Sequence, residues 1–344
     1  MCEHLFVDTS KPLVLGGWLA DHEGVGYYRI RVPFDALARR GHSTLYRGDM
    51  QWKHGKRPPN HVLVGQRVSN EWPSKRWQAS AGDVRRVFET DDDLLNVDPT
   101  SKTARSFYAM PVRRTRMLEN IRAADAVTVS TEYLAAVVRA EYGVEAPIHV
   151  LPNCLERAVF QLPPVDQFGP VTVGWYGSNT HRGDVEQLRR PLGRWFAAHP
   201  KTPVVMGGVD YGELLGVDAD VRPWRPIWRD PVRYMAGVDV QIGLAPLANT
   251  QFNRCKSPLK ALEYGARGIP VIASDVGPYR DFVRHGQTGF LVEHEREWAE
   301  YLDLLVHDDG LRARMGAAGR AEAAKWLIDD HVHLWESAYR GDEG

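Results

Sequence analysis

The chain has 344 residues, 43% of them hydrophobic and 25% charged, with a formal net charge of -1. That length exceeds one ordinary domain and suits two cores, the composition is that of a water-soluble globular protein, and the charge balance names no partner. Cys2, Cys154 and Cys255 lie far apart without a C-x-x-C pair, which argues against a disulfide framework or zinc site and for reduced thiols in a cytoplasmic protein.

The start, MCEHLFVDTSKPLVLGGW, has no basic n-region, and no apolar run is long enough to span a bilayer. The first predicted strand is KPLVLGGW. A helix over YYRIRVPFDALARRG follows, stopped at Gly41 with Arg39 and Arg40 in its last turn. HVLVGQRV and VRRVFE read as strands, then ADAVTVS as a strand, TEYLAAVVRAEYG as a helix and PIHVLPN as a strand. The tract QLPPVDQFGP, 161–170, is rich in proline and poor in periodicity, so it reads as a linker. The pattern then restarts. VTVGWYG, PVVMGG and DVQIGLAPL are strands, with DVEQLRRPLGRWFAAH and DPVRYMAGV as helices between them. A helix over 258–267, the strand GIPVIAS and one long amphipathic helix, AEAAKWLIDDHVHLWESAYRG, complete the series. Such alternation predicts an α/β protein whose parallel sheets carry helices on both faces. The predicted divisions are 1–160, a linker at 161–170, 171–324, and a last helix from about 325 to 344 that joins the first domain.

One stretch, FNRCKSPLKALEYGARGIPVIASDVGPY, combines a lysine, a helix start and a glutamate two turns along. Ser257 before Pro258 fits a cap followed by the first helical position. The exposed N–H groups of a helix start suit a phosphate, and Lys256 adds a full charge there. Glu263 lies six residues past Ser257, roughly 9 Å along the axis at the helical rise. That is the reach from a nucleotide's diphosphate to its ribose, whose two hydroxyls a carboxylate can accept. The same spacing also fits a well-capped helix with no ligand.

KSPLKALEYGARGIPVIASDVGPY, followed by GQTGFLV and EWAEYLDLLVHDDGLRARMGAAGR, resembles the C-terminal half of the family-4-type (group 1) retaining glycosyltransferases of the GT-B fold. VGWYGSNTHRGDVEQL, DVQIGLAPL, VFETDDDLL and ADAVTVSTEYLAAVV with VLPNCL resemble the same group, over most of 120–320 and more thinly before it. The resemblance implies two Rossmann-like domains facing each other across a cleft, with the C-terminal helix crossing back. It further implies a nucleotide-sugar donor, UDP- or GDP-linked, no bound cofactor, no metal, and retention at the anomeric carbon. In that family a Glu-x7-Glu pair lines the donor site. Glu263 matches the second glutamate, whereas Cys255 stands where the first would be, so its role passes to Asn253, Lys256 or nearby backbone.

Ser178, Thr180, His181 and Arg182 sit in the βα loop GSNTHRGD, where α/β folds bind ligands, and the resemblance places basic residues there, with Arg182 the best match; Ser257 and Lys260 are further donor-binding candidates. In EGVGYYR, Gly24 and Gly26 match the glycine loop that approaches the donor, and Arg29 stands where a dinucleotide fingerprint would place its third glycine. The acidic triplet Asp91, Asp92 and Asp93 falls where a carboxylate could orient or deprotonate the acceptor hydroxyl. A solvated turn would look the same.

Residues 39–86 hold eleven basic side chains against three acidic ones, with tryptophans interleaved. Arg47, Trp52, Lys53, Arg57, Trp72, Lys75, Arg76 and Trp77 are the acceptor-binding candidates. Lys102, Arg105, Arg113, Arg114, Arg116 and Arg122 form a second basic run. Cations mixed with exposed aromatics suit a polyanion whose bases can stack. The leading acceptor is therefore modified-base DNA, as glycosylated by some phage transferases. An envelope glycan, a lipid or a protein would use the same charges, and ordinary surface pairing would as well. Other readings of the whole chain are a nucleotide-sugar epimerase, a non-catalytic nucleotide-sugar-binding protein and, less consistent with Arg29, a dehydrogenase.

Overall fold

The computed structural model describes residues 11–48, 57–58 and 60–341. The chain forms two compact units, one of Met1–Asn96, Ser106–Glu156 and Leu327–Gly344, the other of Val97–Arg105 and Arg157–Trp326. The first unit is built on β1 (Val14–Trp18), β2 (Ser43–Arg47), β3 (His61–Gln66), β4 (Arg85–Glu89), β5 (Ala126–Val129) and β6 (Ile148–Val150). They pair in parallel in the order β2-β1-β3-β4-β5-β6. The second unit holds β7 (Val173–Gly177), β8 (Val204–Gly208), β9 (Ala219–Arg222), β10 (Ile242–Ala245), β11 (Val271–Ser274) and β12 (Gly289–Val292). Their order is β12-β11-β10-β7-β8-β9, again parallel throughout.

Central strands are buried on both faces because helices cover both, so β5 and β10 are apolar at nearly every position. In the first unit Phe34, Leu37, Trp77 and Phe88 are fully buried. The helix Val32–Arg39 packs on the last helix, Ile328–Arg340, with Phe34 and Tyr339 edge to face at 6.1 Å. In the second unit Trp175, Leu192, Trp195, Phe196, Met206 and Leu302 share one core. Among the described residues no helix is long and apolar enough to cross a membrane.

Four expectations change. The predicted helix over 27–41 widens into a π-helical turn at Tyr27–Arg31 before Val32–Arg39. Pro33 has no N–H for the carbonyl of Arg29, so the α-pattern cannot run through. The predicted helix over 184–199 splits into Arg182–Glu186 and Arg189–Ala198, and Pro191 withholds the N–H that Gln187 would need. The single C-terminal helix breaks at Ala324–Trp326, where Leu327 turns extended and pairs with Leu155, whose carbonyl accepts from Ile328 N–H at 3.0 Å. The last helix thereby joins the first unit. The 161–170 tract is fastened to the second unit. Val165 N–H donates to Arg267 O at 2.7 Å, Arg312 to Gln167 O at 2.8 Å, and Arg320 to Leu162 O at 2.9 Å.

Candidate functional site

The order of the second sheet reverses at β7, which has β8 and β9 on one side and β10 to β12 on the other. In open parallel sheets such a reversal leaves a crevice at the carboxyl ends of the two central strands, here β7 and β10. The residues after Gly177 and after Ala245 therefore face the natural ligand position of this unit.

They are cross-linked by one buried carboxylate. Asp184 accepts from Ala248 N–H at 2.9 Å and from Asn253 Nδ2 at 2.7 Å through Oδ1, while Oδ2 lies 2.7 Å from His181 Nδ1. His181 Nε2 lies 2.9 Å from Lys260 Nζ. An ammonium can only donate, so Nε2 is the acceptor and Nδ1–H donates to Asp184. Burial lowers the His181 pKa to about 4, and the charges of Lys260 and Lys256 push the same way. Against the upward push of burial, the His181 hydrogen bond and the Ala248 N–H hold Asp184 below the usual carboxylate range. Ser178 and Thr180 bond to each other at 2.8 Å in the same loop. Arg182 opens the next helix.

Lys260 belongs to the helix Leu259–Ala266, which starts one residue later than expected. Pro258, and not the predicted Ser257, takes the capping position. Lys256 sits over the Phe252 ring at 4.4 Å. Glu263 is buried at 6% exposure, and Tyr234 donates its hydroxyl to Glu263 Oε2 at 3.3 Å. Cys255 is fully buried, and Asn253, at 1% exposure, is committed to Asp184 and Ala248 O. Asn253 thus holds the loop together and does not stand in for the missing glutamate.

A pocket adjoins Tyr234, lined also by Tyr176, Gly207, Gly208, Arg222 and Trp224. A Cβ on Gly207 would stand 2.1 Å from the Tyr176 ring, and one on Gly208 2.9 Å from the Trp224 ring. The paired glycines at the end of β8 thus make room for the aromatics. The sequence reading missed these residues. Their signal is a Gly-Gly strand end followed by tryptophan in the polar tract RPWRPIW.

In the first unit, Gly26 N–H donates to Asp21 Oδ1 at 3.1 Å, and a Cβ there would lie 2.1 Å from Asp21 O, so the turn requires glycine. Gly24 faces open space. Arg29 is 1% exposed and pairs with Glu89 at 2.7 Å, which makes it a core ion pair with no route to a donor. Asp91 and Asp92 both pair with Arg67, at 2.5 and 2.7 Å. Arg67 has φ +49, the left-handed region in which a side chain is strained. Burial pushes the Asp91 carboxyl up to about 6, Arg67 opposing and Asp92 reinforcing. Asp93 is fully buried and accepts from Tyr142 Oη at 3.0 Å and Asn96 Nδ2 at 2.9 Å, so it ties down a turn.

The acceptor candidates disperse. Trp77 lies in the core with its indole N–H on Asn120 O at 2.9 Å, and no base can stack on it. Trp52 and Lys53 lie outside the described residues. Arg47 is exposed at the end of β2, and Arg57 N–H donates to Asp83 O at 2.8 Å. Arg39 and Arg40 pair with Asp329 and Glu336 of the last helix at 2.9 and 3.2 Å. One surface cluster persists. Trp72 is exposed, Arg76 stacks over it at 4.4 Å, and Lys75 and Arg116 both reach Glu71, at 2.8 and 3.3 Å.

Residues 256–322 match the family "Glycosyl transferases group 1". A D-inositol 3-phosphate glycosyltransferase of Nocardia farcinica is 46% identical over 89 residues, 23% of this chain and 20% of that protein. One from Corynebacterium urealyticum is 32% identical over 134 residues, 38% of this chain and 30% of that protein. The chain thus spans under a third of the length of these curated relatives. Sucrose-phosphate synthase from Thermosynechococcus elongatus superposes with a TM-score of 0.69 at 15% identity, covering 95% of this chain and 98% of that one. HepE of Anabaena, in a structure with UDP-glucose, gives 0.64 at 15% identity over 95% of this chain and 100% of its own. At such identities the likeness speaks for the fold. The chain therefore carries the group 1 glycosyl transferase segment at residues 256–322 on an α/β fold of the GT-B glycosyltransferases.

Proposed function

We propose that the protein is a glycosyltransferase that moves a sugar from a nucleotide-sugar donor to a hydroxyl acceptor. One observation carries this reading. Lys260, His181 and the start of the Leu259–Ala266 helix meet at the sheet's reversal point, inside the matched segment or beside it. The diphosphate is placed at that helix start, and the ribose at Glu263. The base is placed in the pocket of Tyr176, Trp224 and Tyr234, which the Tyr234–Glu263 hydrogen bond ties to the helix. The solved HepE structures hold UDP or UDP-glucose, which supports a UDP-linked donor here. As the sugar–phosphate bond breaks, Lys260, Lys256, Arg182 and the helix dipole stabilise the leaving diphosphate, which supports departure without a metal. Retention follows from the resemblance.

For the acceptor, the geometry supports a negatively charged hydroxyl compound over DNA. Trp77 is buried and Arg39, Arg40 and Arg67 are paired within their own unit, which removes much of the stacking and charge that DNA would use. The exposed Trp72 with Arg76 stacked on it, beside the exposed Lys75–Glu71 pair and with Asp91 as the hydroxyl-facing carboxylate, is the proposed acceptor side. The curated relatives' name, D-inositol 3-phosphate glycosyltransferase, supports a phosphorylated polyol as the first compound to try.

The test crosses labelled UDP- and GDP-sugars with phosphorylated polyols, simple glycans and hydroxymethylated DNA, and reads products by mass spectrometry. Acceptor-dependent release of nucleoside diphosphate is the expected result. Isomerised donor without acceptor would make the protein an epimerase, and binding without turnover a binding protein. Reversing Lys75 and Arg76 to glutamate is expected to impair transfer and spare donor hydrolysis. Equal loss of both would remove the acceptor role.

A further inference from the structure

We propose that Asp184 and His181 are positioning residues that hold Lys260 aimed at the donor's diphosphate, an inference that rests on the nucleotide-sugar reading. Three elements converge on this chain of contacts. His181 comes from the loop after β7, Asp184 from the helix that follows it, and Lys260 from the first turn of the Leu259–Ala266 helix. The linear arrangement Asp184 Oδ2, His181 Nδ1, His181 Nε2, Lys260 Nζ has links of 2.7 and 2.9 Å about the ring. Asp184 is anchored from its other oxygen by Ala248 N–H and Asn253, so it cannot swing to follow the imidazole. Its carboxylate accepts only, and therefore keeps the imidazole proton on Nδ1.

The consequence falls on the lysine. With Nδ1 protonated, Nε2 offers a lone pair to the ammonium. The contact directs a flexible four-carbon stem without neutralising its charge. An imidazolium would repel it, and Lys256 also disfavours one there. Room for the stem comes from Gly177, where a Cβ would lie 3.3 Å from Lys260 Cε and 2.6 Å from the Trp175 ring. Trp175, with Lys260 Nζ 5.9 Å from its ring centroid, forms the wall behind it. The ammonium thus adds a point charge to the amides of the same helix's first turn.

The two isosteres of each half of histidine separate its contacts. Glutamine at 181 places an oxygen near the Nε2 position and keeps the acceptor for Lys260. Asparagine places an amide near Nδ1 and keeps only the bond to Asp184. Calorimetric titration of the full chain is run with UDP and GDP, and with uridine and guanosine, which lack the phosphates. Lys260→Met is expected to weaken the diphosphate about tenfold or more and leave the nucleoside unchanged. His181→Asn is expected to behave like Lys260→Met, and Asp184→Asn in the same direction. His181→Gln should stay within about threefold of the parent.

Equal weakening of nucleoside and diphosphate in these variants would make the trio a purely structural clasp and overturn the inference. So would Lys260→Met that binds the diphosphate like the parent. A parent chain that binds neither UDP nor GDP would instead overturn the nucleotide-sugar reading itself, and the inference with it.

Discussion

The Tyr234 hydroxyl donates to Glu263 Oε2 across 3.3 Å, which links the aromatic pocket to the middle of the Leu259–Ala266 helix. Glu263 is buried, so truncating it would leave Tyr234 without its acceptor and confuse stability with binding. Glu263→Gln keeps an oxygen for Tyr234 and loses the charge that two ribose hydroxyls would meet. We expect nucleoside diphosphate affinity to fall by about tenfold, roughly 1.4 kcal/mol, with the melting temperature little changed. Calorimetry with UDP or GDP checks this, and unchanged affinity would remove Glu263 from the ribose.

His181 should leave a signature in acid. The unfolded chain takes up its imidazole proton near 6.5, whereas the folded chain refuses it until about 4. The stability contributed by the neutral ring is therefore complete above 6.5 and is lost as the pH falls from 6.5 to 4. The whole loss is about 3 kcal/mol at most. Urea unfolding at a series of pH values should show this slope in the parent and a shallower one in His181→Gln.

Asp91 has the opposite sign. Its carboxyl ionises near 3.8 when unfolded and near 6 when folded, so its contribution is complete below 3.8 and is lost as the pH rises through 6. Asp91→Asn should flatten stability across that interval. If Asp91 receives the acceptor's proton, acceptor-dependent turnover should climb through pH 6 in the parent and lose that step in the variant. A parent profile flat across this range would dismiss Asp91 as the base.

Gly207→Ala tests the pocket. The added Cβ would meet the Tyr176 ring at 2.1 Å, so the ring must move. Overpacking of this kind costs about 1–3 kcal/mol. We expect that loss in chemical unfolding, together with a weakened nucleoside. Full nucleoside affinity in a folded variant would place the base elsewhere.

Most of the fold was legible because central parallel strands announce themselves. VLV in β3, VTV in β5 and VIAS in β11 are apolar runs bounded by turns. The edge strands β2 and β9 were not. β2 is STLYR with only partial burial, and β9 is ADVR, and neither carries a hydrophobic run. Prolines 33 and 191 interrupt helices whose periodicity continues through them, so the pattern alone cannot show the break. Within the site, Lys256 at the helix start and Glu263 two turns along were readable from spacing. Asp184 was not, since its importance lies in reaching residues 248 and 253, which only the sheet's crossover brings near. Trp77 misled for a similar reason. Its helix carries charge on the outer face, and composition does not say which tryptophan points inward.

A crystal structure of the chain with UDP or GDP bound would bear most directly on the proposed reaction. The expected ligand lies in the second unit, its phosphates within hydrogen-bonding distance of Lys260 and the first-turn amides, its ribose against Glu263 and its base beside Trp224. A nucleotide found in the first unit, or lying in the second with its phosphates toward Trp224 and its base toward Lys260, would contradict it.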